Sequence, residues 1–166
     1  REAIQQLAVS GLVVVKPKRG TFVARVSIDQ LIEMFEVMAE LEGMCGRLAA
    51  RRIRPHELES LRAAMRRCED PDVMADPDEY YYENEEFHGW IYTASHNQFL
   101  ATEARQLKQR LKPYRRLQLQ TRNRVSKSSE EHRHIFEAIE RGDEAQAEKC
   151  LKEHVLIQGT RFSDFV

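Results

Sequence analysis

Apolar residues recur with a helical period through most of the chain. Between residues 28 and 52 they fall every three or four positions, and Ser27 with Gln30 has the pattern of a capping box where that stretch begins. Pro55 is suited to a first helical position and Asn97 to a helix cap, so further helices are predicted there. The turn-rich stretch EDPDVMADPD predicts a connection with two prolines, TRNRVSKSS predicts a polar loop, and Ser129 or Ser128 is suited to cap the helix after it. The pattern therefore predicts a mostly α fold with about six helices after residue 27.

The first 26 residues have a different pattern. Residues 1–10 predict a short helix, and the apolar runs at 12–15 and 21–26 predict two strands joined by the basic turn KPKRG. A helix followed by a hairpin is typical of the last part of a winged helix. This unit is too small to bury a core of its own, so we expect a further segment of the DNA-binding domain to precede it.

Length and composition favour a soluble, helix-rich protein. The chain has 166 residues, of which 42% are hydrophobic and 32% charged. No apolar run approaches the roughly 20 residues needed to span a bilayer, which predicts no membrane partner. The three cysteines show no CxxC spacing, so a disulfide framework is not expected and a reducing cytoplasm is the default location.

Charge is unevenly distributed along the chain. The net charge is −1, but residues 1–25 carry five bases against one acid, which is +4 and leaves −5 for the remainder. A basic end on a slightly acidic body predicts a nucleic-acid contact at that end.

Two blocks of like charge lie further along. Residues 69–86 contain nine acids and no base, and residues 105–127 contain nine bases and no acid. The favoured interpretation is two solvated helix faces that attract each other, within or between subunits. The alternative, a second nucleic-acid or anion surface, lacks an accompanying pattern of aromatic residues.

Candidate metal chemistry lies on three predicted helices. Asn84 and His88 are four residues apart, which places both on one helix face, while His132 and His154 lie on two later helices. Three imidazoles and one amide oxygen could hold a transition metal inside a bundle of antiparallel helices. Each histidine taken singly is more typical of a core or cap residue than of a metal ligand, so the metal interpretation depends on their convergence. His134 is expected to be exposed.

The N-terminal segment resembles the end of a GntR-superfamily DNA-binding domain. The residues in register with that family are Arg1, Glu2, Ala3, Leu7, Gly11, Leu12, Arg19, Gly20 and Val23. The resemblance implies that Arg1 begins a recognition helix in the major groove. It also implies that Lys18, Arg19 and Gly20 form the tip of a wing that contacts DNA.

The remainder resembles the FCD ligand-binding domain of the FadR-like branch. The shared marks are Leu41-Glu42, Leu48-Ala49-Ala50, Phe87-His88, Asn97, Glu131-His132, Ala138-Ile139, Gly142-Asp143 and His154. The resemblance implies a divalent metal held by Asn84, His88, His132 and His154, with zinc as the first choice and nickel or manganese open.

Two positions depart from the family pattern. Asn84 replaces the usual Asp, brings no negative charge and predicts weaker metal binding. Met38 replaces an Arg that would bind a carboxylate effector, so another arginine is expected to take that role. The candidates are Arg47, Arg105, Arg110 and Arg116.

The resemblance implies two domains and a regulatory function. Residues 1–26 would end a winged helix-turn-helix domain, and residues 27–166 would form an antiparallel six- to seven-helix domain that binds effector and dimerises. The expected protein is a homodimeric transcription regulator, and not an enzyme, that binds operator DNA and responds to a small carboxylate metabolite. The alternatives are a purely structural metal and a metal-dependent hydrolase. For a hydrolase, helix geometry turns Glu85 and Glu131 away from the neighbouring ligands.

Overall fold

A short helix and a hairpin precede seven further helices in the part of the chain that the computed structural model describes, residues 2–9, 13–23 and 26–163. The elements in order are α1 (Glu2–Val9), β1 (Val13–Lys16), β2 (Gly20–Val23), α2 (Ile28–Arg52), α3 (Pro55–Cys68), α4 (Pro71–Ala75), α5 (Pro77–Ala94), α6 (Gln98–Leu119), α7 (Arg124–Glu140) and α8 (Glu144–Ser163). The predicted mostly α class and the six- to seven-helix bundle are confirmed.

Helix α2 lies at the centre of the bundle and packs against α5, α6, α7 and α8. Its predicted capping box is present, since Gln30 N donates to Ser27 Oγ and Ser27 N donates to Gln30 Oε1, both at 3.2 Å. Gly46 lets α8 approach closely, because a Cβ at that position would lie 3.2 Å from the carbonyl oxygen of Ala147. This approach sets α8, which carries His154, against the core.

One continuous apolar core fills the space between these helices. Its largest fully buried apolar side chains come from α2, α3, α5, α6 and α7: Phe35, Met38, Leu61, Tyr80, Tyr81, Phe87, Ile91, Leu111, Ile135 and Ile139. Tyr92 is also buried, and its hydroxyl faces a charged group described below. The core therefore surrounds the central part of α5, where His88 lies.

Two predicted loops are wrong in part. Helix α4 occupies the stretch expected to be an open connection, because the Asp70 carboxylate accepts the Asp72 N–H at 2.9 Å and starts a helical turn. Helix α7 begins at Arg124, where a polar loop was expected, after Asn123 takes a left-handed conformation with φ +62°. Ser128 and Ser129, expected as caps, are buried inside that helix.

The N-terminal hairpin has the predicted order and a tight turn. Strands β1 and β2 pair antiparallel from Val13 with Val23 to Lys16 with Gly20. Gly20 has φ +100°, a conformation that favours glycine and permits the turn. The division into two domains at residue 26 stays a prediction. Among the described helices, none combines the length and the apolar character needed to cross a membrane.

Candidate metal centre

Three histidines from three helices meet in the core. His88 on α5, His132 on α7 and His154 on α8 are 0%, 0% and 1% exposed. Their ring centroids are 5.1 Å apart for His88 and His132, 5.3 Å for His88 and His154, and 4.8 Å for His132 and His154. One ring nitrogen from each lies within 4.8 Å of the others, so this cluster could hold a metal ion.

Local packing fixes the helices that carry these rings. Asp76 caps α5 by accepting the Asp78 N–H at 2.9 Å, which sets the start of the helix carrying His88. The Phe87 ring stacks on the His132 ring with centroids 4.5 Å apart. The Tyr80 ring lies nearly parallel to the His132 ring, with centroids 6.4 Å apart. The apolar wall excludes water from the side of His132 that faces these rings.

The first ring, His88, is held by a buried carboxylate from α2. Glu42 is 0% exposed, and its Oε2 lies 2.8 Å from His88 Nδ1. Its Oε1 accepts the Tyr92 hydroxyl at 2.5 Å and one guanidinium N–H of Arg115 at 3.4 Å. We call Arg115, Glu42 and His88 the Glu42 arm.

The third ring, His154, is held in the same chemical manner from α7. Glu131 Oε2 lies 2.6 Å from His154 Nδ1. The Arg124 guanidinium binds the same carboxylate with both terminal nitrogens, at 2.9 and 2.7 Å. We call Arg124, Glu131 and His154 the Glu131 arm. Sequence reasoning missed that Glu131 contacts the histidine of the next helix.

The surroundings keep the rings neutral and the carboxylates ionised. Burial lowers the pKa of His88 and of His132 well below the ordinary value, and it lowers the pKa of His154 as well. Burial alone would raise the pKa of Glu42, but His88, Lys108 and Arg115 outweigh it and hold that pKa well below the ordinary value. Against burial, His154 and Arg124 lower the pKa of Glu131 to about 2.

These features fit a metal ion at the cluster. Neutral imidazole is the form that coordinates metals, and a carboxylate on Nδ1 leaves Nε2 to face the ion. His88 Nε2 and both ring nitrogens of His132 are buried and have no hydrogen-bond partner among the described residues. Buried polar atoms left in this state are costly unless something binds them. The roles of these three histidines as metal ligands stay a prediction.

A polar cavity lies beside the cluster. It has about 10 Å³ of free volume, which is room for about one water molecule, and is lined by Asn84, Arg115, Gln118, Leu119, Arg124 and Ser128. Asn84 is 4% exposed and lies one helical turn before His88, so the predicted fourth ligand forms part of the cavity wall. Two buried guanidiniums in this wall make the cavity suitable for an anion.

The four arginines predicted to bind an effector lie elsewhere. Arg47 pairs with Glu148 at 3.4 Å, Arg105 donates to the Thr93 hydroxyl at 3.1 Å, and Arg116 pairs with Asp78 at 2.7 Å. Arg110 is exposed. The structure does not bring these four side chains into the cavity wall, and their assignment to an effector stays a prediction.

The residues that sequence reasoning missed were present as weak signals. Glu42 was noted only as a family mark, and Arg115, Lys108 and Arg124 were counted in a basic block expected to be solvated. That expectation is wrong for these three, which are 3%, 4% and 2% exposed. The expected attraction between the two charge blocks is present, since Lys108 Nζ lies 3.1 Å from Glu85 and Arg116 lies 2.7 Å from Asp78.

Three of the four residues predicted to contact DNA belong to the described part of the chain and lie at the tip of the hairpin. Lys18 and Arg19 are exposed between β1 and β2, Gly20 is the exposed first residue of β2, and Arg19 N donates to Lys16 O at 3.0 Å to close the turn. Arg1 lies outside the described residues.

Comparison with known proteins places these features in a family context. The sequence pattern of the FCD domain matches residues 33–156. The chain is 27% identical over 164 residues to a probable D-xylose utilization operon transcriptional repressor of Paenarthrobacter nicotinovorans, covering 93% of the chain and 68% of that protein.

Solved structures share the fold. The E. coli protein McbR/YncC superposes with a TM-score of 0.85 at 22% identity, over 100% of the chain and 84% of that structure. A putative transcriptional regulator GntR from Rhodococcus sp. RHA1 superposes with a TM-score of 0.76 at 15% identity, over 100% and 79%. The proteins from Paenarthrobacter nicotinovorans and Rhodococcus are described as a transcriptional repressor and a transcriptional regulator.

Proposed function

The chain belongs to the FCD domain family, with the fold of GntR-type transcription regulators, and we propose that it is a metal-containing, ligand-responsive regulator of transcription. The observation that carries this proposal is the convergence of His88, His132 and His154 in a fully buried cluster, in which Nε2 of His88 and both ring nitrogens of His132 have no hydrogen-bond partner among the described residues. Nothing in an ordinary core requires three adjacent buried imidazoles, whereas a metal site does.

His88, His132 and His154 would hold the ion, and the amide oxygen of Asn84 is the fourth candidate ligand. Zinc is the first choice because imidazole suits it, while nickel and manganese remain alternatives. The ion would supply a positive charge with a coordination position open to an oxygen ligand. Glu42 and Glu131 would orient two of the rings.

The effector we propose is a small organic acid. The cavity beside the cluster offers buried guanidiniums and an amide, which bind carboxylates well. Because the free volume holds about one water molecule, the side chains that line the cavity would move apart to admit an acid of a few carbon atoms.

Operator DNA would be contacted by the N-terminal segment, with Lys18 and Arg19 of the exposed hairpin tip against the DNA backbone or minor groove. We propose a homodimer, because regulators of this type read palindromic sites with two symmetric copies. Effector binding would change operator affinity by altering how the two copies place their DNA-binding segments, for which a coupling of about 1–3 kcal/mol suffices.

Metal content and its dependence on one histidine test the proposal. The purified chain should contain close to one zinc, nickel or manganese ion per chain by elemental analysis, and His132→Ala should contain none. His134→Ala is the matched control, since His134 is exposed on the same helix two residues away. Equal metal in all three proteins would refute the site.

The regulatory part is tested with DNA. Duplexes selected for binding from a random library should bind less tightly to Arg19→Ala, and their affinity should change when a small carboxylate is added to the metal-loaded protein. If every carboxylate leaves DNA affinity unchanged while metal removal unfolds the protein, the metal has a purely structural role.

A further inference from the structure

We propose that Glu42 is a positioning residue that couples the cavity to the metal site: an anion bound by Arg115 tightens metal binding at His88. This inference rests on the proposed function and concerns regulation within the same site. It follows from how one buried carboxylate is divided between two partners.

Glu42 is shared between a metal-ligand candidate and a cavity residue. One oxygen lies 2.8 Å from His88 Nδ1, and the other accepts from Arg115 at 3.4 Å. Both side chains beside the carboxylate are almost fully buried, 0% exposed for His88 and 2% for Arg115. In such a low-dielectric setting, a change in one contact alters the charge that the carboxylate offers to the other.

Arg115 has binding capacity left over. Its contact with Glu42 is long and uses one terminal nitrogen, and the other, Nη2, has no hydrogen-bond partner in the described part of the chain. The side chain also forms part of the cavity wall. A buried guanidinium that lines a polar cavity and has a terminal nitrogen without a hydrogen-bond partner is suited to bind a carboxylate through two hydrogen bonds.

The sign of the coupling follows from this geometry. An anion that binds Nη2 of Arg115 draws the guanidinium away from Glu42, whose contact with Nη1 is already long, so more of the Glu42 charge remains for the Nδ1–H of His88. A more polarised imidazole donates more strongly from Nε2 to a metal. The negative charge of the anion near the cation acts in the same direction. Because coupling is reciprocal, the metal should tighten anion binding by the same factor.

The second arm serves as an internal control. Arg124 also lines the cavity, but both of its terminal nitrogens are engaged by Glu131 at 2.9 and 2.7 Å. It has less capacity to bind an added anion. The coupling should therefore pass through Glu42 and not through Glu131.

The experiment measures the zinc dissociation constant of the whole chain at pH 7.5, with free zinc fixed by a competing chelator. Sodium acetate, a minimal carboxylate, is compared with sodium chloride at equal ionic strength. Acetate should lower the dissociation constant about 5-fold or more in the unaltered chain. Arg115→Met should abolish the acetate effect, and Arg51→Met, at an exposed arginine near the end of the helix that carries Glu42, should retain it.

Glu42→Gln should weaken zinc binding about 10-fold or more and also abolish the acetate effect. Glu131→Gln should weaken zinc binding but keep the acetate effect. Nitrogen NMR of the metal-free protein gives an independent readout: His88 should carry its proton on Nδ1, and Glu42→Gln should shift the Nδ1 resonance. If Arg115→Met does not fold, Arg115→Lys keeps the charge without the two-bond fork and should reduce the acetate effect.

The outcomes separate the two proposals. No zinc binding to the unaltered chain would overturn the proposed metal site and this coupling together. Zinc binding with no acetate effect, or with an acetate effect that survives Glu42→Gln or Arg115→Met, would overturn the coupling alone.

Discussion

The two arms of the candidate metal centre have the same chemistry in different surroundings. In each, an arginine contacts a glutamate, and the glutamate contacts Nδ1 of a histidine. Glu42 is 0% exposed and receives only a long contact from Arg115, whereas the side chain of Glu131 is 23% exposed and is gripped by both terminal nitrogens of Arg124.

This difference indicates a division of labour. A buried carboxylate with a loosely held cation responds to any new charge nearby, since little solvent screens the change. A forked pair whose glutamate is partly exposed is geometrically fixed and partly screened by water. We therefore expect the Glu131 arm to hold His154 in place and the Glu42 arm to respond to cavity occupancy.

The largest expected difference concerns folding stability. Glu42→Ala leaves Arg115 and Lys108, both buried, without their shared anionic neighbour. Breaking a buried pair in this way should cost about 3–5 kcal/mol in the free energy of unfolding. Glu131→Ala should cost less, on the order of 1–2 kcal/mol, because the partly exposed site admits water. Denaturant unfolding of the metal-free proteins measures both, and equal losses would remove the distinction between the arms.

Metal affinity should also depend on the two carboxylates that contact the histidines, even when the histidines themselves are unchanged. Glu131→Gln should weaken zinc binding about 10-fold, because an amide polarises His154 less than a carboxylate does. Competition with a chromophoric chelator gives the dissociation constant. Glu137→Gln is a suitable control, since Glu137 lies on the same helix and its contact with Arg141, at 3.9 Å, does not involve the cluster. An effect of Glu137→Gln as large as that of Glu131→Gln would show a nonspecific charge effect.

Acid should destabilise the metal-free protein in two separate pH windows. The histidines have folded-state pKa values below the ordinary 6.5, so the unfolded chain binds more protons and stability falls as pH drops below about 6.5. Glu131 has its pKa lowered from 4.5 to about 2, so its contribution is present above pH 4.5 and is lost as pH falls toward 2. Unfolding free energies measured between pH 8 and pH 3 should show both windows. Glu131→Gln should reduce the loss of stability at the lower pH and leave the loss near pH 6.5 unchanged. The same pH dependence in Glu131→Gln as in the unaltered chain would contradict this expectation.

The smallest expected effect is that of salt. Raising sodium chloride from 0.1 to 1 M shortens the screening length from about 10 to 3 Å. The Arg124–Glu131 pair should lose some of its contribution to stability, by less than about 1 kcal/mol, whereas the enclosed Glu42 arm should be insensitive. Comparing the salt dependence of unfolding in Glu131→Gln and in the unaltered chain measures the difference. If Glu42→Gln reduced the salt dependence of unfolding more than Glu131→Gln does, the Glu42 arm would be the salt-sensitive one, contrary to this expectation.

Much of the fold could be predicted from local signals. The capping box at Ser27, the proline at residue 55 and the cap at Asn97 mark helix starts that the structure confirms. These signals are reliable because a cap satisfies backbone groups within three residues of itself. The start of α7 was predicted too late. The polar composition suggested a long loop, whereas Asn123 in a left-handed conformation reverses the chain within a few residues.

The candidate site was predictable only in part. The spacing of Asn84 and His88 on one helix face follows from helical geometry, and the resemblance to a family singled out His132 and His154. The charged residues around them were not identified. A charge block looks the same in a sequence whether its side chains face water or a neighbouring acid, so Lys108, Arg115 and Arg124 were assigned to the surface.

The amino-acid sequence by itself determined where the helices begin, which faces are apolar and which residue types could bind a metal, because these depend on neighbours within a few positions. Only the tertiary structure decided that Glu42 reaches His88 across 46 residues of chain and that Glu131 reaches His154 across 23. Such contacts depend on how helices pack, and their energies depend on the water that packing removes. The two Arg–Glu–His sets therefore differ in burial and in the geometry of the arginine contact, which no local sequence pattern specifies.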